Sequence, residues 1–211
     1  MRWSVVVPVK RLPAAKTRLY DRRRGAAEHA ALALALAEDT VAAAAGCPPV
    51  ARVIVVTDDL DAAAAVRRLG ALVVGDEPDA GLNPALAHGA ARARELAGTD
   101  GVAALSCDLP ALRPAELAGA LGAAGAHPRA FVADAAGIGS TLLTALPGIP
   151  LDPRYGAGSR HAHLASGAAE LAGDWPSLRR DVDTADDLAA AAALGLGPAT
   201  RAWAAAHATV A

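Results

Sequence analysis

Aromatic residues, lysine and cysteine are all scarce in this sequence. Only 3% of its 211 residues are Phe, Trp or Tyr, although 54% are hydrophobic. A core of this composition must be built from Val, Leu and Ala packed closely on small side chains. The two cysteines, Cys47 and Cys107, form no CxxC motif. They therefore suggest no disulfide scaffold, and a reducing cytoplasm is the expected compartment.

An excess of positive charge and long apolar runs are missing as well. The formal net charge is −2 and the pI is about 6.3, which argues against general binding of nucleic acid. The apolar runs are rich in alanine and interrupted by charge, so none resembles a membrane span. The N-terminus carries no signal-peptide pattern. We therefore expect a soluble cytoplasmic protein without nucleic-acid or membrane partners.

Lysine survives at only two positions. Of the 20 Lys and Arg residues, two are lysines, Lys10 and Lys16, and the other 18 are arginines. Both lie in the basic segment 10–24, which could be a plain exposed loop. The alternative is a phosphate cradle, because a flexible ammonium group can follow a phosphate through a reaction better than the planar guanidinium of arginine. The segment matches neither a Walker A loop nor a GxGxxG fingerprint.

Short β-branched runs alternate with alanine-rich helical stretches along the chain. We predict strands at 3–9, 52–57, 71–74, 101–106, 130–133, 140–145 and 178–182. The predicted helices lie at 25–45, after Asp58 through 69, and at 82–96, 114–122, 159–166, 185–194 and 198–207. This alternation predicts an α/β fold with a mostly parallel sheet and helices on both faces, in a single domain over residues 1–211.

Ligands of such sheets bind beyond the carboxyl ends of the strands. The residues at these ends are Lys10, Asp58, Asp76, Asp108, Asp134 and the pair Asp181 and Asp183. One strand end is therefore cationic and the others are acidic. This asymmetry makes the strand ends the first place to look for a site.

Three of these aspartates have a functional and a structural interpretation. Asp108 could cap a helix or sit in a solvated turn, or it could bind a divalent cation such as Mg²⁺, which prefers oxygen ligands. Asp181 and Asp183 share one side of an extended segment, where a cation would relieve their repulsion. Asp183 could instead simply cap the next helix. Together with the lysines, the three carboxylates favour metal-assisted phosphoryl or nucleotidyl transfer.

Two glycine turns offer backbone to an anionic ligand. The first reads Gly137-Ile138-Gly139 and is followed by hydroxyl side chains, and the second, at 155–163, opens a helix. The second turn could equally be a plain helix cap. The His-Ala-His sequence within it has no further ligand at zinc spacing, so core or surface histidines are the preferred interpretation. Cys107 is interpreted as a small buried side chain rather than a nucleophile.

Taken in order, six stretches resemble the guanylyltransferases of coenzyme F-420 biosynthesis, which act on phosphoenolpyruvate or 2-phospho-L-lactate. The stretches are VPVKRLPAAKTRL, GLNPAL, DLPAL, ADAAGIGST, YGAGSRHAHL and LRRDVDTADDL, and they span residues 7–188. The resemblance implies a nucleotide-diphosphosugar-transferase-like fold. It also implies that GTP is joined to a phosphorylated three-carbon acid with release of pyrophosphate.

The same resemblance implies roles for individual residues. Asp108, Asp181 and Asp183 would hold Mg²⁺. Lys10 and Lys16, with Asp108, would form the catalytic set, and Lys10, Lys16, Arg18 and, less securely, Asn83 would bind the nucleotide. Ser140, Gly156 and Ser159 would bind the acid. One departure concerns Ile138, which stands where the family commonly has a hydroxyl residue, and Asp134 becomes a structural candidate.

Several alternatives stay open at this point. The acid could be phosphoenolpyruvate, 2-phospholactate or 3-phosphoglycerate, and only the GC-rich, actinobacterial type of composition favours the first. The nearest rival is a molybdenum-cofactor guanylyl- or cytidylyltransferase, although the sequence lacks the LAGG-type opening loop of those enzymes. A catalytically silent GTP-binding module is a rival of another class. A dinucleotide oxidoreductase is disfavoured because its fingerprint is missing.

Overall fold

The computed structural model describes residues 1–10, 25–77 and 79–207. The strands of this part of the chain are β1 (Trp3–Pro8), β2 (Val50–Val56), β3 (Leu72–Val74), β4 (Gly101–Leu105), β5 (Arg129–Ala133), β6 (Ser140–Ala145) and β7 (Ala169–Glu170). Its helices are α1 (Ala26–Ala45), α2 (Leu60–Arg68), α3 (Leu82–Leu96), α4 (Pro114–Ala124), α5 (Ser159–Ala165), α6 (Pro176–Arg179), α7 (Ala185–Leu194) and α8 (Pro198–His207).

The strands form one sheet in the order β3-β2-β1-β4-β6-β5-β7. Strand β1 pairs in parallel with β2 and β4, β2 with β3, and β5 with β7. Only β6 runs antiparallel to its neighbours, β4 and β5. The prediction of a mostly parallel sheet is therefore confirmed. The carboxyl ends of β1, β2, β3 and β4 lie at one edge of this sheet.

Alternate residues of the central strands face two separate cores. Val5 and Val7 of β1 pack with α1, α2 and α4, whereas Val6 packs with α3 on the opposite face. This alternation is the period of two expected of a strand buried on both sides. The prediction of helices on both faces is confirmed.

Helix α3 approaches the sheet closely because its contact residue is a glycine. A Cβ atom at Gly89 would overlap the side chains of Val6 and Val56. The absence of a side chain lets the helix backbone rest almost directly on the strands. The predicted reliance on small side chains is visible at this contact.

The sequence-based prediction of a strand at 178–182 is wrong. Residues Pro176–Arg179 form the short helix α6, which begins with the proline at its first position, where no N–H is needed. The sequence analysis does not predict strand β7, because a strand of two residues is too short to show the alternation of apolar and polar side chains. Asp59, rather than Asp58, caps α2 by accepting hydrogen bonds from the N–H groups of Asp61 and Ala62.

Candidate active site

A cleft opens at the carboxyl ends of β1, β2 and β3. Its volume is about 200 Å³. Lys10 follows β1 and is exposed on its wall. The lining consists of one cation, three carboxylates and a mainly apolar floor: Lys10, Asp58, Asp76, Asp79, Pro8, Val9, Val56, Gly81, Leu82 and Ala85. An apolar floor with a few polar groups is typical of a small-molecule site.

The carboxylate of Asp58 is hydrogen-bonded to the backbone of Asp76. Asp58 Oδ1 accepts a hydrogen bond of 2.9 Å from the backbone N–H of Asp76, which ties the end of β2 to the end of β3. The side-chain atom Asp76 Oδ1 is buried and has no hydrogen-bond partner among the described residues. A buried carboxylate oxygen without a donor is costly, so Asp76 is suited to accept N–H groups of a ligand.

The turn after β4 is held from two sides. The N–H of Leu109 donates to the hydroxyl of Thr40, a fully buried residue of α1, at 2.9 Å. The backbone carbonyl of Asp108 accepts from the N–H of Val182 at 3.1 Å. Val182 is itself fully buried, which anchors the segment that carries Asp181 and Asp183 beside Asp108. The structure thus brings the backbone of segment 181–183 to the turn that carries Asp108, although more than 70 residues separate the two in sequence.

Asp183 is not the cap of α7. Thr184 is the N-cap residue, and its hydroxyl accepts from the N–H of Asp187 in a capping box. Burial acts to raise the pKa of Asp187, but the hydrogen bonds that its carboxylate accepts from the Thr184 hydroxyl and from the N–H groups of Asp183 and Thr184 lower that pKa overall. The capping explanation of Asp183 is therefore wrong, and its place next to Asp108 needs another reason.

The carboxylate oxygens beside the end of β4 suit a hard divalent cation, but the described residues supply few of them. Asp108 Oδ1 is fully buried at the strand end. Within the described ranges, no group of three or more His, Cys, Asp or Glu side chains is arranged to hold a metal ion. Mg²⁺ commonly uses only one or two carboxylates and takes the remaining ligands from water and substrate phosphates. The residues therefore fit a cation that takes part of its ligands from the protein and the rest from water and substrate phosphates.

A closed turn joins β5 to β6. The two carboxylate oxygens of Asp134 accept from the N–H groups of Ile138 and Gly139, at 2.9 and 2.7 Å. A Cβ atom at Gly139 would overlap the Asp134 carboxylate, so only glycine fits there. Asp134 is thus a structural residue of the glycine turn, and Ile138 is exposed at its tip.

The turn leads directly to Ser140, which is paired with a histidine that the sequence analysis did not select. His163 Nδ1 lies 3.0 Å from Ser140 Oγ, and both residues are buried. Burial is the main reason why the pKa of His163 is lowered to about 4, and the nearby Arg129 lowers it further. The neighbouring His161 is exposed. No zinc site is needed to explain the His-Ala-His sequence, because one histidine lies in the core and the other on the surface.

Asn83 organises the second glycine loop. Its carboxamide accepts from the N–H of Tyr155 at 2.8 Å and donates to the carbonyl of the same residue at 2.9 Å. The Tyr155 hydroxyl donates to the carbonyl of Ala104 in β4, and its burial raises its pKa. The structure therefore assigns Asn83 to positioning this loop, and its predicted contact with guanosine stays a prediction.

The second glycine loop ends in α5. Gly156 and Gly158 have positive φ angles of 138° and 70°, which a residue with a side chain rarely adopts. Ser159 is buried at the start of the helix. The guanidinium of Arg160 forms an ion pair of 2.9 Å with Glu170, and its hydrogen bonds to that carboxylate raise the pKa of Arg160. This pairing favours a structural role for Arg160.

Two predicted nucleotide contacts, Lys16 and Arg18, lie outside the described residues. The cysteines, Cys47 and Cys107, form no disulfide. Burial raises the pKa of the Cys47 thiol to about 11, which makes it a poor nucleophile. His163 and Ser140 do not form part of a Ser-His-Asp arrangement, because His163 Nε2 accepts from the backbone N–H of Arg154 rather than from a carboxylic acid.

Comparison with known proteins decides between the families that this geometry allows. Residues 33–148 match the model of the MobA-like NTP transferase domain. The chain is 60% identical to the phosphoenolpyruvate guanylyltransferase of Salinispora arenicola over 94% of its own length and 91% of that protein. It is 59% identical to the enzyme of the same name from Thermomonospora curvata, with 97% and 90% covered. The chain belongs to the phosphoenolpyruvate guanylyltransferase family. It is a nucleotidyltransferase.

Solved structures support the fold of this guanylyltransferase. A protein from Desulfovibrio desulfuricans G20, assigned as a nucleotide-diphospho-sugar transferase, superposes with a TM-score of 0.66 at 20% identity, over 89% of this chain and 85% of its own. Rv0371c from Mycobacterium tuberculosis, whose structure is a complex with manganese, has a TM-score of 0.54 at 25% identity, over 90% and 96%. The predicted nucleotide-diphosphosugar-transferase-like fold is confirmed.

The family assignment removes the rivals from other classes. Relatives that are guanylyltransferases over nearly the whole chain argue against a dinucleotide oxidoreductase and a silent module. Among the described residues of this guanylyltransferase, no helix is long and apolar enough to cross a membrane. The predicted cytoplasmic location stays a prediction.

Proposed function

We propose that this protein transfers GMP from GTP to phosphoenolpyruvate and releases pyrophosphate. The observation that carries the proposal is the 60% identity to a phosphoenolpyruvate guanylyltransferase over nearly the full length of both chains. The cleft at the ends of β1–β3 and the aspartates beside β4 lie where nucleotide and metal bind in open α/β sheets. The proposed pathway is coenzyme F-420 biosynthesis, in the cytoplasm.

The nucleotide occupies the cleft at the ends of β1–β3. Lys10 lies on the cleft wall and supplies positive charge for the phosphates of GTP. Lys16 and Arg18 follow in the same basic segment and are proposed to serve the same end. Asp76 accepts the N–H groups on the Watson–Crick edge of guanine with its buried, unpartnered oxygen. Adenine offers no matching pair of donors at that edge, which favours GTP over ATP.

Asp108, Asp181 and Asp183 are proposed to hold a divalent cation, Mg²⁺ in the cell. The backbone bond between Val182 and Asp108 supports this assignment, because it holds the segment that carries Asp181 and Asp183 against the turn that carries Asp108. A bound Mg²⁺ would neutralise charge on the phosphates of the two substrates and orient them. With one or two protein carboxylates in its shell, it would bind well only when the phosphates are present.

The phosphorylated acid is proposed to bind at Ser140, Gly156 and Ser159. The contact between two loops supports this grouping: the N–H of Arg160 donates to the carbonyl of Ile138 at 3.1 Å, which holds the first glycine turn against the start of α5. Hydroxyl and backbone N–H groups that converge from two turns suit phosphate and carboxylate oxygens. Phosphoenolpyruvate is preferred over 2-phospholactate and 3-phosphoglycerate because relatives that are 60% and 59% identical to this chain carry its name.

The chemistry requires positioning rather than a protein nucleophile. A phosphate oxygen of phosphoenolpyruvate attacks the α-phosphorus of GTP, the bond to the β-phosphate breaks, and pyrophosphate leaves with the electron pair. A phosphate monoester is largely dianionic at neutral pH and is nucleophilic without a strong base. The work of the protein is to align the two anions and to offset their charge, with Lys10 and Lys16 on the leaving group. This explains why an acidic protein keeps its two lysines in one short segment.

The proposal is tested by measuring pyrophosphate release from purified protein with GTP and Mg²⁺. Phosphoenolpyruvate, 2-phospholactate and 3-phosphoglycerate are offered in turn, with ATP and CTP in place of GTP as nucleotide controls. We expect release with GTP and phosphoenolpyruvate, and a guanylylated acid by mass spectrometry. Equal turnover of CTP would point to a different nucleotidyltransferase. GTP binding without release for any acid would overturn the proposed function.

A further inference from the structure

His163 lies at the junction of the two glycine turns and is fully buried. Its ring packs edge-on against Tyr155, with 5.1 Å between the ring centroids, and at 5.6 Å from Phe131 of β5. The charged groups that face it are the guanidinium groups of Arg129 and Arg154 and the carboxylate of Asp152. Apolar rings and two cations both disfavour a positive charge on the imidazole, so the ring is neutral at physiological pH.

Two hydrogen bonds fix which nitrogen of this neutral ring carries the proton. His163 Nε2 lies 3.0 Å from the backbone nitrogen of Arg154, and a backbone N–H can only donate. Nε2 is therefore the unprotonated nitrogen. Nδ1 must then be the protonated one, and it donates to Ser140 Oγ at 3.0 Å. A histidine in this tautomer cannot remove the proton of Ser140, so the pair is not a nucleophile and its base.

This direction of donation determines what the serine hydroxyl can do. Ser140 Oγ uses a lone pair to accept from His163, and its own hydrogen must be donated to another group. Within the described ranges no acceptor for that hydrogen is found in the hydrogen bonds of Ser140. Ser140 follows the glycine turn held by Asp134, and a Cβ atom at Gly139 would lie 3.7 Å from Ser159 Oγ. Because His163 belongs to α5, its bond to Ser140 Oγ places the serine hydroxyl against this helix and leaves the hydroxyl hydrogen for another acceptor.

We propose that His163 is a positioning residue for the acid substrate, which orients the Ser140 hydroxyl so that its hydrogen points to an anionic oxygen of the bound acid. The inference rests on the proposed function, because Ser140 is taken to contact the acid. It goes beyond that function by assigning a role to a residue that touches neither substrate.

Variants that mimic one ring nitrogen at a time separate this role from simple packing. In His163→Asn the amide nitrogen takes the place of Nδ1 and preserves the donor to Ser140. In His163→Gln the amide oxygen can replace Nε2 and keep the bond to Arg154, but the donor to Ser140 is lost. His161→Gln, on the exposed side of α5, is the matched control.

We expect His163→Gln to raise the KM for phosphoenolpyruvate about 5- to 10-fold, the effect of one misdirected hydrogen bond, with the KM for GTP unchanged. His163→Asn should stay within about twofold of the wild type for the acid, since the donor is retained. In the double variant with Ser140→Ala, His163→Gln should add no further loss. Equal losses in the Asn and Gln variants, or losses that multiply in the double variant, would overturn the proposal.

A measurement on the unmodified protein keeps the inference testable if the variants do not fold. Long-range ¹H–¹⁵N correlation NMR distinguishes protonated from unprotonated ring nitrogens. We expect His163 to be protonated at Nδ1, and its Nδ1–H signal to shift when phosphoenolpyruvate is added with Mg²⁺ in the absence of nucleotide. Protonation at Nε2 would overturn the inference. Nδ1 protonation in a protein that neither binds nor guanylylates any of the three acids would instead locate the failure in the proposed function.

Discussion

The backbone N–H of Val182 donates to the backbone carbonyl of Asp108 across 3.1 Å. This single bond joins the turn after β4 to the segment before α7, and it needs no side chain from either residue. Because Val182 is buried while its two neighbours are aspartates, the segment is anchored in the core next to the turn that carries Asp108. The proposed metal site thus depends on packing as much as on charge.

Removal of one of these carboxylates tests the proposed metal site. Asp108→Asn and Asp183→Asn should each lower kcat by about 10²- to 10³-fold, the usual effect of one preorganised electrostatic group. Higher Mg²⁺ concentration should recover part of the loss in Asp183→Asn. Asp186→Asn, on the exposed first turn of α7, is the matched control and should keep wild-type turnover. Steady-state rates with thermal melting as a folding check decide the result, and equal rates in all three variants would argue against the site.

Substitution of Asp76 tests the assignment of the guanine edge. Asp76→Asn replaces a charged acceptor with a carboxamide and should lower kcat/KM for GTP by about 10- to 100-fold, the effect of one charge-assisted hydrogen bond. XTP carries an oxygen where guanine has its amino group, and the variant should use it better than the wild type does. Competition between GTP and XTP measures the change in selectivity. Unchanged selectivity with normal GTP turnover would show that Asp76 does not read the base.

The titration of His163 predicts a pH dependence of stability. Its pKa is lowered to about 4 in the folded protein, mainly by burial and then by Arg129, with Arg154 acting in the same direction and Asp152 opposing them. The unfolded chain binds a proton near pH 6.5, so folding stability is full above that value and falls as the pH decreases towards 4. Urea unfolding between pH 7 and pH 4.5 should show this loss in the wild type and in His161→Gln. In a folded His163→Gln variant, the free energy of unfolding should fall less steeply as the pH decreases. The same pH dependence as in the wild type would contradict the assignment of this loss to His163.

Asp39 stabilises the junction between α1 and α8. Its buried carboxylate accepts from the N–H groups of Ala199 and Thr200 at 2.9 and 2.8 Å, which joins α1 to the start of α8. Asp39→Ala leaves both donors unpaired and should cost about 1–3 kcal/mol of unfolding free energy. We expect the Tm to fall by roughly 2–12 °C with kcat unchanged at 25 °C. Glu38→Ala is the matched control, since Glu38 forms only a 3.8 Å pair with Arg68, and an equal loss there would argue against a specific role of Asp39.

Much of this architecture was predictable from local patterns. The β-branched runs and the alanine-rich helices indicated the sheet and its two faces, since burial on both sides leaves a strong signal in every central strand. The strand-end rule indicated Lys10, Asp76 and Asp108. The prediction of a strand at 178–182 is wrong because Leu178 lies in the short helix α6 and Val182 in the segment after it, and neither belongs to a strand of the described sheet.

Interactions between residues that are far apart in the chain could not be predicted from the sequence. Asn83 resembled a ligand contact, but its carboxamide binds the backbone of Tyr155, 72 residues away. His163 was interpreted as a plain histidine because nothing in its neighbourhood reveals the pairing with Ser140. Residues that position other residues are recognised only when the fold brings the partners together. The ligand candidates themselves could be selected because their chemistry is visible in the residue type.

In the proposed reaction, the phosphate of phosphoenolpyruvate itself attacks GTP. The most direct test uses phosphoenolpyruvate labelled with ¹⁸O in its phosphate group, with GTP and Mg²⁺, and follows the products by ³¹P NMR. We expect a new guanylylated acid in which the oxygen between the two phosphorus atoms carries the label, together with unlabelled pyrophosphate. Labelled pyrophosphate, or pyrophosphate that forms without a phosphoenolpyruvate adduct, would contradict it.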